Sequence, residues 1–117
     1  MRKAAIVDVE RRGWDSIVSV PRLPSFDVRE LKEILEKVKQ VKQPSTWTEE
    51  ARKIRYFRVE WYGESREFVS IQALVLASDN RFYAIPTYII VNIRDGYVAD
   101  HGFWHPSIVD TLLDALK

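Results

Sequence analysis

Apolar residues recur at two different periods along this chain. Over residues 27–42, Val28, Leu31, Ile34, Leu35, Val38 and Val41 fall at helical spacing among charged neighbours, which predicts an amphipathic helix. Asp27 stands where a carboxylate can accept from the free N–H groups of the first turn. Glu30 takes the capping-box position three residues on, and Pro44 closes the segment. A second stripe, Ile108, Val109, Leu112, Leu113 and Leu116, follows Pro106, which suits a first helical position. Between the two helices the period is two. Residues 54–62, 67–77, 81–93 and 97–104 are rich in Val, Ile, Tyr, Phe and Trp. Gly63-Glu64-Ser65, Ser78-Asp79-Asn80 and Arg94-Asp95-Gly96 separate them. Connections this short join antiparallel neighbours, and Asp95-Gly96 is a hairpin signal because Gly accepts positive φ. The expectation is a single α+β domain over 1–117, with a curved antiparallel sheet of four strands or more packed against helices.

Residues 1–26 admit two readings. Ile6, Val7 and Val9, then Ile17, Val18 and Val20, are β-branched and suit a hairpin around Arg11-Arg12-Gly13. Two short helices broken at Gly13 are the alternative, because propensity alone is a weak prior. In 81–93 both alternating sets are apolar: Phe82, Ala84, Pro86, Tyr88 and Ile90 on one face, Tyr83, Ile85, Ile89, Val91 and Ile93 on the other. A sheet with one wet face alternates more cleanly. Two helices cover about one face of four strands, so the second face is expected to pair with another copy in a homodimer.

Composition narrows the classes. The apolar share of 46% in 117 residues excludes disorder, and 18 basic against 17 acidic residues leave no global field to seek nucleic acid or anionic lipid. The chain has no Cys, which excludes disulfide scaffolds, thiol catalysis and cysteine metal sites. No apolar run reaches the roughly 20 residues of a membrane span, and Asp8 and Glu10 interrupt any secretory leader. The expected location is the cytoplasm. Abundant charge with little Met, Asn or Gln suggests heat tolerance.

The stretch from Val91-Asn92-Ile93-Arg94-Asp95-Gly96-Tyr97-Val98-Ala99-Asp100-His101 through Gly102-Phe103-Trp104-His105-Pro106 and its apolar helix resembles the end of nuclear transport factor 2-like domains. That superfamily includes ketosteroid isomerases and polyketide cyclases. Phe68 to Ala77 and Arg81 to Tyr88 look like its paired long strands, and 6–15 is loosely similar to its opening helices around a Gly and an aromatic residue. The family's long first helix is not legible here. The resemblance implies a cone-shaped, cystatin-like sheet curled around helices, with a conical pocket for an apolar small molecule opening between sheet and helices, and dimerisation through the outer sheet face. It also implies, as an alternative, a cofactor-independent isomerase, cyclase or dehydratase.

The candidate chemistry is sparse. His101 and His105 are the only histidines, and His101 with Asp100 is the candidate acid–base pair. Adjacent strand residues point to opposite faces, so the two should not touch directly. His105, directly before Pro106, also reads as a helix cap. Ser70, Gln72, Tyr88 and Asn92 interrupt apolar strands and are candidate ligand contacts, since buried polar groups need partners. A solvent-facing position near a sheet edge explains them equally. Trp104 is taken with them, although packing accounts more simply for four Trp as a group. No ligand spacing supports a metal and no glycine-rich loop supports a nucleotide, so neither metal nor cofactor is expected. Residues 52–62 interleave Arg and Lys with aromatic rings in the manner of a nucleic-acid platform. Glu49, Glu50, Glu60 and Glu64 dilute that charge, and an amphipathic strand explains the pattern as well.

Overall fold

The computed structural model describes residues 2–47 and 53–117; Glu49, Glu50 and Arg52, which bear on the nucleic-acid reading, lie outside them. Six strands form one antiparallel sheet: β1 Lys3–Asp8, β2 Ile17–Ser19, β3 Tyr56–Tyr62, β4 Phe68–Leu76, β5 Phe82–Asn92 and β6 Tyr97–His101. Their spatial order is β2-β1-β3-β4-β5-β6. The expected meander is therefore four strands of a larger sheet. Residues 1–26 adopt the hairpin alternative, with Val7 opposite Ile17 and Ala5 opposite Ser19. This chain thus opens with strands where the resemblance implies helices.

β2 and β3 both run antiparallel to β1 from opposite sides. They are consequently parallel to each other, and a helix is the usual way to make that crossover. That helix is α1, Val28–Lys39. The Asp27 side chain accepts from the Glu30 N–H at 2.8 Å, a cap of the kind expected. Glu30 itself does not close a capping box. Its carboxylate accepts from the Lys3 ammonium at 2.8 Å and ties α1 to β1. The last helix, α2, spans Ser107–Ala115.

Both helices lie on one face of the sheet. Leu31, Ile34, Leu35 and Val38 of α1 join Ile108, Val109 and Leu112 of α2 against Ala5, Val7, Phe57, Val59, Val69, Ile71, Ile89 and Val91. Burying each large side chain is worth about 1.5–3 kcal/mol, so this layer supplies most of what opposes chain entropy. The strand residues between them form the opposite face, which no helix covers among the described residues, although Ala4, Ile6 and Asp8 of β1 are buried there. Among the described residues no helix is long and apolar enough to cross a membrane.

Two irregularities shape that open face. The β4–β5 register shifts between Gln72 and Leu74, and the Gln72 amide donates to the Ile85 and Thr87 carbonyls at 2.7 and 3.2 Å. A second shift falls in the β5–β6 ladder between Ile90 and Val91. Bulges bend a strand and re-aim its side chains. At Gly102 an added Cβ would lie 2.6 Å from the Pro86 carbonyl oxygen, so only glycine permits the chain to leave β6 against β5.

Candidate site on the open sheet face

Period-two alternation places Arg58, Glu60 and Tyr62 of β3, Ser70 and Gln72 of β4, and Tyr88 and Ile90 of β5 on the uncovered face. Their register brings them together, since Arg58 pairs with Gln72, Gln72 with Tyr88, Glu60 with Ser70, Ser70 with Ile90 and Ile90 with Asp100. With Arg2 they line an open concavity of about 590 Å³. Four of the residues singled out from the sequence meet there: Ser70, Gln72, Tyr88 and Asp100.

The charges are arranged in two groups. At the β3 end, Arg2 forms an ion pair with Glu60, and Arg58 reaches the same carboxylate at 3.5 Å. Two guanidinium groups thus share one carboxylate. At the other end the Tyr88 hydroxyl donates to Asp100 Oδ2 at 3.1 Å, and Asp100 Oδ1 accepts from the backbone N–H of His101 at 2.8 Å. The bond to Asp100, aided by desolvation, holds the Tyr88 phenol above its ordinary pKa. Burial, reinforced by the Glu60 charge, does the same for Tyr62. Both phenols are therefore neutral donors near neutral pH. Ser70 Oγ makes no hydrogen bond with the described residues and is the uncommitted hydroxyl of the site.

The remaining candidates lie elsewhere. Asn92 is buried at the end of β5, where its Oδ1 accepts from the N–H groups of Arg94 and Asp95 at 3.1 and 2.8 Å. It shapes the turn into β6, whose Gly96 has φ of +76°. Trp104 is fully buried in the core; its indole N–H donates to Gln43 and its backbone N–H to the Thr46 hydroxyl, both at 2.9 Å. It anchors the segment that follows α1. His101 is exposed beyond the rim, with Nδ1 2.8 Å from the Gly102 carbonyl. Its ring and Asp100 make no mutual contact. The His105 Nδ1 accepts from the Ser107 N–H at 3.1 Å, which caps α2. Among the described residues no group of three or more His, Asp or Glu side chains is placed to hold a metal.

In the basic–aromatic strand the cation most fully engaged by carboxylates is Arg55. Arg55 donates twice to Asp8, at 2.9 Å each, and also meets Glu10 at 2.8 Å. Arg58 contacts Glu60, and the Phe57 ring is buried. The residues that sequence reasoning passed over are Arg2, Arg58, Glu60 and Tyr62. The alternation of β3 already separates Arg58, Glu60 and Tyr62 from Phe57, Val59 and Trp61, but nothing local shows that they oppose Ser70 and Gln72.

No protein-family model matches this chain, and neither a curated protein nor a solved structure does so.

Proposed function

We propose that this chain is a cytoplasmic binding module that holds a small molecule in the concavity of its open sheet face. The observation that carries the reading is convergence. Ser70, Gln72, Tyr88 and Asp100, drawn from three strands, meet with Arg58 and Tyr62 on the sheet face turned away from α1 and α2. Ligand sites combine apolar walls with a few placed polar groups, and Ile90 with the tyrosine rings supplies the walls. The nuclear transport factor 2-like reading, with its cone-shaped sheet, belongs to this proposal, although the concavity lies on the sheet face turned away from the helices and not between the two as the resemblance implies. What supports it is the run of long antiparallel strands closed by an Asp-Gly turn, an aromatic stretch and a short helix.

The same face is proposed to pair with a second copy. Val18, Leu76, Phe82 and Tyr97 are exposed there. The four strands β3 to β6, about 4.8 Å apart and about eight residues long, give a footprint of roughly 500 Å², at the small end against the ~800 Å² per partner of a standard interface. Stacked face to face, two copies close the shallow concavity into an enclosed site.

The hydrogen bond between Tyr88 and Asp100 favours a second reading, proton transfer to or from a bound substrate. Titration of ¹⁵N-labelled protein with 1-anilinonaphthalene-8-sulfonate, an aromatic anion, tests the binding reading. Amide shifts confined to Ser70, Gln72, Tyr88, Ile90 and their neighbours are expected. Shifts elsewhere alone, or none at all, would remove the site.

A further inference from the structure

The distribution of charge within the concavity narrows the ligand that it would hold. At its β3 end stand two cations, Arg2 and Arg58, and one carboxylate, Glu60. Arg2 makes the direct pair, while Arg58 has only the 3.5 Å contact with a carboxylate already engaged. Its side chain is about one-third exposed, so its planar fork of donors is partly withdrawn from water yet largely unfilled. At the β6 end the imbalance is reversed. Asp100 accepts from a phenol and a backbone N–H, and among the described residues no cation lies within 4.0 Å of it. One surplus positive charge and one surplus negative charge therefore face the same open space. Three strand spacings of about 4.8 Å separate β3 from β6, which sets the two groups roughly 10–15 Å apart. Between them lie Gln72, Ser70, Tyr88 and Ile90, a surface that is mostly uncharged.

We infer that the concavity takes a dipolar small molecule whose acidic group lies at Arg58 and whose ammonium lies at Asp100, with a flat apolar body between. This rests on the small-molecule reading above. An arginine fork matches a carboxylate in a two-bond geometry, and such charge-assisted bonds are about twice as strong as neutral ones. A singly charged ligand satisfies one end only. A dianion sets its second charge against Asp100, and a dication sets its own against Arg2 and Arg58, so the site discriminates by repulsion as well as attraction.

The test uses 4′-(aminomethyl)biphenyl-4-carboxylate, a flat molecule with the two charges at opposite ends, against biphenyl-4-carboxylate and biphenyl-4-methylamine. Each is titrated into ¹⁵N-labelled full-length protein at low salt. The dipolar compound is expected to bind about tenfold more tightly than either singly charged one. Arg58→Gln should abolish its advantage over the amine, and Asp100→Asn its advantage over the acid. Preserved amide dispersion in both variants keeps the comparison valid. Binding of a singly charged compound within twofold of the dipolar one overturns the ligand class and leaves the small-molecule reading standing. Absence of shifts at Ser70, Gln72, Tyr88 and Ile90 with all three compounds overturns that reading and this inference together.

Discussion

Neighbouring residues of the same strands build the two faces of this sheet, and the faces obey different rules. On the covered side Val59, Ile71, Ile89 and Val91 are wholly buried against α1 and α2. The wholly buried strand positions there are apolar, because an unpaired polar group would lose its water and gain nothing; Lys3, at the rim, is paired with Glu30 of α1. On the open side Arg58, Ser70, Gln72, Tyr88 and Ile90 stand in the same ladders at the intervening positions. They mix charge, hydroxyl, amide and ring; Gln72 and Tyr88 are hydrogen-bonded within the sheet, while the Ser70 hydroxyl makes no bond with the described residues. A face selected for folding alone would present a regular polar surface to water. This one combines exposed rings with half-buried charges, the pattern on which the binding proposal rests.

The sharpest contrast is between Ile89 and Ile90, adjacent on β5. Ile89→Asp places a charge in the core layer and is expected to cost more than about 4 kcal/mol, so that no cooperative unfolding transition survives. Ile90→Asp is expected to change the stability of the single subunit by about 1 kcal/mol or less. Urea unfolding followed by circular dichroism measures both, and equal losses would erase the distinction between the faces. The unmodified chain should unfold above the ordinary mesophile range of about 45–65 °C.

A smaller effect belongs to the ion pair that ties the end of β1 to the start of β3. The bonds from Arg55 hold the Asp8 carboxyl below its ordinary pKa. The unfolded chain therefore takes up a proton more readily than the folded one. The resulting stabilisation is complete above the unfolded value of about 4 and is lost as pH falls through the depressed folded value. Stability should drop below about pH 4, and that acid-side slope should flatten in Asp8→Asn. Arg55→Ala removes the main partner of the buried Asp8 and should lower stability, by an amount that the exposure of Arg55 keeps modest. Urea midpoints between pH 3 and 6 check both, and a flat profile for the unmodified chain would contradict the role of the pair.

The mildest changes are at the site itself. Ser70→Ala and Tyr88→Phe should each alter stability by less than about 0.5 kcal/mol. Both should weaken the binding of an aromatic probe in the concavity. Unaltered probe affinity in both would show that the hydroxyls face no ligand.

What was legible in the sequence was whatever local chemistry enforces. Helix α1 announces itself through the stripe from Val28 to Val41 and its Asp27 cap, and the β5–β6 turn through Asp95-Gly96. Ser70, Gln72 and Tyr88 stood out because polar groups in apolar strands need a reason. Illegible were the features decided by distant partners. The opening strands become strands because β1 is inserted between β2 and β3, a choice that β-branched residues permit but do not impose. Trp104 is core because Gln43 and Thr46 meet its N–H groups from sixty residues away. Arg58 and Glu60 looked like ordinary strand charges until the ladder set them beside Ser70 and Gln72.

The open face is proposed to be an interface rather than a solvated surface. Light scattering of the unmodified chain and of Ile90→Asp, at the same micromolar concentration, addresses that directly. The expected masses are twice 13.7 kDa for the unmodified chain and 13.7 kDa for the variant. A mass of 13.7 kDa for both, unchanged as concentration rises, would show that this face stays open to water and would contradict the claim.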